Sequence, residues 1–325
     1  MKDRIYGKIL QGIGGLYTVR ILSVPEDNDS SLIGATIDCR ARGSFRHNNI
    51  TPLAGDNVIL LPATVNTNEK SEKNSESSDF VIDDIVDRKN ALIRPPMANL
   101  DFLFITMSAS APTPILSTID KLISIAEFNN IEPVIVITKC ELDPIYAAEL
   151  EQIYKKSGFE VFKLSAVKDI DIAPIDRFIR ENLSGKTAAF AGASGIGKST
   201  LLNRLFPSLS LSTSEISQKI QRGRHTTRKV ELYSLDKSVD CGYIADTPGF
   251  SMLDFARFDF FEVSDLPLTM REFKQHIGSC KYTKCSHTKE EGCTIIDEVK
   301  NGNIPVSRHQ SFCELYEVLK AKKKW

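Results

Sequence analysis

No stretch of this chain approaches the roughly 20 consecutive apolar residues that cross a bilayer as a helix. The N-terminus, Met1-Lys2-Asp3-Arg4, lacks the apolar core of a secretion signal. Both absences set the expectation of a cytoplasmic chain with no membrane partner. Net charge is missing too: 41 Lys and Arg against 42 Asp and Glu leave −1. A globally basic nucleic-acid binder is therefore excluded, although local clusters can still meet phosphate: Lys219, Arg222, Arg224, Arg228 and Lys229 form one, and the tail Lys320-Ala321-Lys322-Lys323-Lys324 another. Cysteine is scarce, seven residues in 325. Cys39, Cys140, Cys241 and Cys313 are scattered in apolar contexts and suit buried thiols, whereas Cys280, Cys285 and Cys293 cluster, which argues for a metal rather than a disulfide framework. Internal repeats are also missing.

What is present is enough apolar residue, 42%, to bury cores in two or three domains. Up to residue 95, short alternating segments such as Tyr17–Leu22 and Val58–Leu61 are punctuated by Gly12, Gly14-Gly15 and Gly55-Asp56. That pattern reads as a small β-barrel or sandwich. Asn66–Asp79 is polar and reads as a surface loop. Strand-like runs then alternate with helical ones: Phe102–Met107, Thr118–Phe128, Val134–Ile137, Tyr146–Lys156 and Val161–Leu164. Alternation of this kind predicts a parallel α/β sheet. Past residue 262 the periodicity fades around the cysteines and returns as Phe312, Leu315, Tyr316 and Leu319, a core-facing stripe of a closing helix.

The strongest chemical signal is Gly192-Ala193-Ser194-Gly195-Ile196-Gly197-Lys198-Ser199-Thr200, entered by the apolar run Ala188–Ala191 and left by a helical pattern over Thr200–Leu205. The glycines let backbone amides and a helix N-terminus wrap an anion, Lys198 reaches the terminal phosphates, and Ser199 suits magnesium. Asp246-Thr247-Pro248-Gly249 follows a second apolar strand; Asp246 would sit at the magnesium and the Gly249 amide at the γ-phosphate. Between them, His225-Thr226-Thr227 offers a hydroxyl for magnesium, from either Thr226 or Thr227. Phe250 stands where many GTPases carry a water-orienting glutamine, so slow intrinsic hydrolysis is expected. His225 could organise the water, as could a group supplied by a partner.

Base reading is expected from Thr138-Lys139-Cys140-Glu141, after the strand Val134–Ile137. A carboxylate accepts from both N–H groups on guanine's edge, where adenine offers no such pair. Glu141 suits that task, with Asp143 as the alternative; Ser165 and Ala166 follow one strand later and suit backbone contact with the guanine oxygen. Cys280, Cys285, His287 and Cys293 supply three thiolates and an imidazole, a closed tetrahedral set for structural zinc, with His276 outside the spacing.

The motif order is cyclically shifted, since base reading precedes the phosphate loop. With Gly223–Thr227, Asp246–Gly249, the Cys3His set, Leu53–Val58 and Arg94-Pro95-Pro96, nearly the whole chain resembles the RsgA (YjeQ) family of small ribosomal subunit-dependent GTPases. The family's usual Asn-Lys-x-Asp is here Thr138-Lys139-Cys140-Glu141. The resemblance implies an OB-fold over 1–95, a circularly permuted GTPase domain over 96–262 and a zinc-binding domain with a C-terminal helix over 263–325. It implies one structural zinc per chain, magnesium with GTP, late maturation of the small ribosomal subunit, and hydrolysis to GDP and phosphate stimulated by that subunit and its rRNA. A monomer is expected, and Arg42, Phe45 and Arg46 are candidates for the barrel's RNA face. Two rivals remain at this point: an ATP-using P-loop enzyme acting on a small molecule, and a non-catalytic, nucleotide-switched RNA-binding protein.

Overall fold

Five N-terminal strands close on themselves. In the computed structural model, which describes residues 4–26, 29–47, 50–63, 79–207, 230–236, 238, 240–246 and 260–322, these are β1 (Ile5–Ile13), β2 (Leu16–Ser23), β3 (Thr36–Ala41), β4 (Asn57–Pro62) and β5 (Phe80–Ile85). β1 pairs antiparallel with β2 and β2 with β3; β3 runs parallel to β5, and β4 pairs antiparallel with both β5 and β1. That circuit closes an OB-type barrel and leaves no free edge within it. Alternation points every second side chain inward, so Ile5, Ile9, Val19, Ile21, Val58, Leu60 and Ile82 form one core with Cys39 and Phe45. Phe45, a candidate for the RNA face, is therefore a core residue: the short helix α1 (Ser44–His47) carries it, and only 6% of it is exposed. Arg42 is exposed and pairs with Asp83; the Arg46 side chain lies outside the described residues.

The short strands β6 (Ala91–Leu92) and β7 (Met97–Ala98) form a separate ladder before the α/β sheet. Three strands of that sheet are β8 (Phe102–Ser108), β9 (Glu132–Thr138) and β10 (Glu160–Lys163), separated by helices α2 (Leu116–Phe128) and α3 (Pro144–Lys156). Helix α4 (Ile172–Asn182) leads towards β11 (Thr187–Ala191), and α5 (Lys198–Leu205) follows it. The strands run parallel in the order β10-β9-β8-β11. They read as continuous apolar runs because helices cover both faces of such a sheet. Phe104 of β8 stacks on Phe190 of β11 at 4.6 Å between ring centroids, with Phe178 of α4 edge-on to Phe104 at 6.2 Å.

The strands β12 (Glu231–Ser234) and β13 (Tyr243–Asp246) pair antiparallel with each other, and β12 also pairs with β1. The chain ends in α6 (Thr294–Lys300) and α7 (Val306–Ala321). Helix α7 buries Phe312, Leu315 and Leu319 of the expected stripe, while Tyr316 is only half-buried. Two compact units result. One gathers the described residues of Met1–Leu100, Leu183–Thr187 and Thr226–Pro248; the other gathers those of Asp101–Asn182, Ala188–His225 and Gly249–Trp325. No helix among the described residues is long and apolar enough to cross a membrane.

Candidate functional site

β11 delivers the chain to Gly192 beside β8. A Cβ there would lie 2.5 Å from the Thr106 carbonyl oxygen and 2.4 Å from Ile196 Cδ1, at a φ of +149°, so only glycine fits. Gly197, at φ +93°, is the N-cap of α5 and offers no capping side chain, which leaves the helix's N-terminal face to an anion. Leu201, Leu202 and Leu205 anchor α5 in the core, while Lys198, Ser199 and Thr200 occupy its first turn. Ala193, Ser194 and Gly195 form the exposed arch of the loop, and Ile196 is buried beneath it.

The base-reading segment is tied to this loop. Thr138, buried at the end of β9, sets its hydroxyl against the carbonyls of Ile196 and Met107. Its single proton serves one of them at a time. Lys139 adopts a left-handed backbone, φ +56°. Its Nζ donates to the carbonyl oxygens of Gly195 (2.8 Å) and Ala111 (2.7 Å), clamping the phosphate loop from the side. The Cys140 amide donates to the Leu164 carbonyl (3.3 Å), which brings Glu141 alongside the buried Ser165 and half-buried Ala166. Glu141 Oε2 is buried with no hydrogen-bond partner among the described residues. Such an oxygen is costly unless a donor arrives. Asp143, the alternative reader, instead caps α3, its Oδ1 accepting from the Tyr146 amide at 2.9 Å. Asp246 closes β13 and pairs in register with Glu231. Its side chain lies outside the described residues, as do His225, Thr226, Thr227, Gly249 and Phe250.

Cys280, Cys285, His287 and Cys293 converge, their four ligand atoms all within 4.8 Å of one another. His287 Nδ1 lies 3.5 Å from both Cys280 Sγ and Cys293 Sγ, and those sulfurs are 3.8 Å apart. Burial pushes the His287 imidazole below its ordinary pKa, favouring the neutral form that binds metals. His287 has φ +60°, and its carbonyl accepts from His309 Nε2 of α7 at 2.8 Å. Glu290 braces the same loop by accepting from the amides of Ser286 (2.7 Å), Thr288 (3.2 Å) and Lys289 (3.1 Å). Burial alone would raise its pKa; the Ser286 hydroxyl, then the amides of Ser286, Lys289 and Glu290, outweigh it and hold the carboxyl at about 2. His276 is not part of the cluster.

Sequence reasoning missed a buried charge network. Arg308 of α7 is fully buried and bonds Asp120 of α2 (2.6 Å) and Glu272 (2.7 Å). The Tyr154 hydroxyl of α3 donates to the same Asp120 oxygen (3.2 Å). Burial would lower the Arg308 pKa, but both carboxylates raise it and keep the guanidinium charged. One signal was available: Arg308 sits on the stripe of Phe312, Leu315 and Leu319, where a charge is out of place.

A glycine loop opening a helix, clamped by a base-reading segment that precedes it in the chain, defines a P-loop nucleotide-binding protein of permuted order. The model of the RsgA GTPase matches residues 85–256, and that of the RsgA N-terminal domain matches residues 6–68. The small ribosomal subunit biogenesis GTPase RsgA of Ruminiclostridium cellulolyticum is 36% identical over 319 residues, spanning 97% of this chain and 93% of that protein. Its counterpart in Alkaliphilus metalliredigens is 37% identical over 320 residues, spanning 98% and 99%. Among solved structures, YjeQ from Thermotoga maritima superposes with a TM-score of 0.75 at 29% identity, covering 98% of this chain and 100% of that one. YloQ, described as a circularly permuted GTPase, gives 0.71 at 31%, covering 99% and 97%. The chain belongs to the RsgA GTPase family and is a GTP hydrolase. That membership sets aside both the ATP-using enzyme and the non-catalytic switch.

Proposed function

We propose that this GTPase acts on the small ribosomal subunit in the cytoplasm, as a monomer that binds rRNA, assists late maturation and hydrolyses GTP when docked. The names of its relatives support the subunit as partner. In this reading residues 1–95 engage RNA, 96–262 bind and hydrolyse GTP, and 263–325 hold the metal module. The observation that carries nucleotide choice is the buried Glu141 oxygen, unpartnered among the described residues, two positions after the lysine that clamps the phosphate loop. Guanine's N1–H and exocyclic amine supply the donors it lacks.

In the mechanism, the Gly192–Gly197 amides and Lys198 hold the β- and γ-phosphates, and the Ser165-Ala166 backbone meets the guanine oxygen. Ser199, Asp246 and one of Thr226 or Thr227 offer hard oxygen donors that fit magnesium, which when bound neutralises charge developing on the phosphates. In this reading the Gly249 amide would meet the γ-phosphate, and His225 or a ribosomal group would orient the water that Phe250 cannot. The Cys3His set fits zinc: ligand bonds of about 2.3 Å to sulfur and about 2.0–2.1 Å to nitrogen imply tetrahedral edges of about 3.8 and about 3.6 Å. Those values match the 3.8 and 3.5 Å separations among Cys280, His287 and Cys293, and Cys285 keeps the whole set within 4.8 Å. All four positions come from protein, so the ion would be structural, one per chain.

Steady-state hydrolysis tests the phosphate chemistry. Lys198→Ala should lose tight GTP binding and Ser199→Ala magnesium-dependent turnover; normal turnover in both variants would put the chemistry elsewhere.

A further inference from the structure

Lys8 and Arg20 stand directly opposite each other on β1 and β2, and each is only 6% exposed. Like charges facing each other across two strands repel, more strongly where water is excluded. Part of the compensation comes from the β12–β13 hairpin, within the same compact unit as the barrel. Arg20 Nη2 donates to the Ser238 carbonyl at 3.0 Å. Lys8 Nζ lies 5.4 Å from the centroid of the buried Tyr243 ring and 3.4 Å from the Gly55 carbonyl oxygen. The Asp236 carboxyl is held below its ordinary range chiefly by hydrogen bonds from Ser238, with Arg20 adding to the effect. Among the described residues, main-chain register between β1 and β12 rests on one pair, Gln11 with Glu231. The two cations thus add side-chain ties to that main-chain pairing.

Both ends of this hairpin lead into nucleotide-sensing sequence. Gly223–Thr227 lies just before β12, and β13 ends on the aspartate of Asp246-Thr247-Pro248-Gly249.

We propose that Lys8 and Arg20 are positioning residues through which the barrel sets the placement of the β12–β13 hairpin, and with it the segments that sense the γ-phosphate. RNA engaging the barrel then alters hydrolysis through these two side chains. The inference rests on the subunit-stimulated reading above.

The test uses full-length protein and purified small subunits. Arg20→Met removes the donor at similar bulk; Arg20→Lys keeps a charge and a donor. Arg20→Met should keep basal hydrolysis within about twofold and subunit affinity within about threefold, yet lose about tenfold of the stimulated rate, inside the roughly 5- to 150-fold range of site-to-site couplings. Arg20→Lys should recover most of it. Equal stimulation in Arg20→Met and the parent overturns the proposal, as does a loss of subunit affinity large enough to account for the whole rate change. If Arg20→Met does not fold, hydrogen exchange on the parent decides. Replacing GDP by a non-hydrolysable GTP analogue should alter protection at Lys8–Ile9 and Val19–Ile21, and identical protection overturns the coupling. A parent that subunits fail to stimulate refutes the functional reading, while the exchange measurement still judges the coupling.

Discussion

At Glu141 the chain holds a carboxylate oxygen buried without a donor among the described residues, and a charged hydrogen bond formed there is worth about 1.5–3 kcal/mol. Glu141→Gln should therefore weaken GTP by about 10- to 150-fold while leaving ATP no weaker, as read by competition with a fluorescent nucleotide. An equal loss for both would mean the base binds elsewhere. Cys39 gives a pH prediction. Burial pushes its thiol from 9.0 up to about 12, so between those values the folded chain keeps a proton that the unfolded chain has released. Its stabilising contribution is complete below pH 9 and is lost as pH rises towards 12. Urea unfolding of the parent should lose more stability between pH 8 and about 10.5 than that of Cys39→Ala, and parallel losses would contradict the shift. The ligand residues were legible because four metal-binding side chains crowd one short span. Phe45 was not: an aromatic in a Gly-flanked loop fits a surface or a core, and only closure of the barrel over it decides. Lys8 and Arg20 carry no signal in the sequence, because the hairpin that meets them lies more than 200 residues away.

Helix α7 joins the metal loop to the α/β core, through His309 at the His287 carbonyl and through Arg308 at Asp120 and Glu272. Removing one partner from a buried ion network leaves uncompensated charge and costs about 3–5 kcal/mol. Arg308→Ala should lower stability by that amount in denaturant unfolding and speed exchange in α2 and α7; a change below about 1 kcal/mol would mean that water or rearrangement replaces the guanidinium. At the metal loop, Cys285→Ser should lower zinc from one equivalent and loosen Cys280–Cys293, because ligation and local folding are coupled. A folded parent without metal would rule the site out. Helices and strands were largely legible from periodicity, with ends displaced by a residue or two. Helix α5, read from Thr200, begins at Lys198 because Gly197 hands the loop over to it directly. The ties between elements were not legible: Lys139 to Gly195, Arg308 to Asp120 and Arg20 to Ser238 each span more than 50 residues. No local period encodes them.

Across the whole molecule, the permuted order joins the nucleotide-sensing sequence after β13 to the metal-binding C-terminal part, while β12 and β13 themselves belong with the barrel. Motif order revealed the first connection in the sequence. The second depends on β1 pairing with a strand more than 200 residues away, which only the folded chain displays. Covalent continuity permits RNA contacts at either end of the chain to reach the hydrolytic segment, and a two-state element is what would transmit them. With Phe250 in place of a water-orienting glutamine, the free protein should turn over slowly. The most direct measurement is multiple-turnover phosphate release from GTP with and without purified small subunits, on the parent and His225→Ala. The account predicts slow release alone and recovery, with subunits, of part of the roughly 10³- to 10⁵-fold that an organised site supplies. If His225 organises the water, His225→Ala should lose far more stimulated rate than GTP affinity; full stimulation without His225 would transfer that role to a ribosomal group. A parent rate that subunits leave unchanged would contradict the account itself.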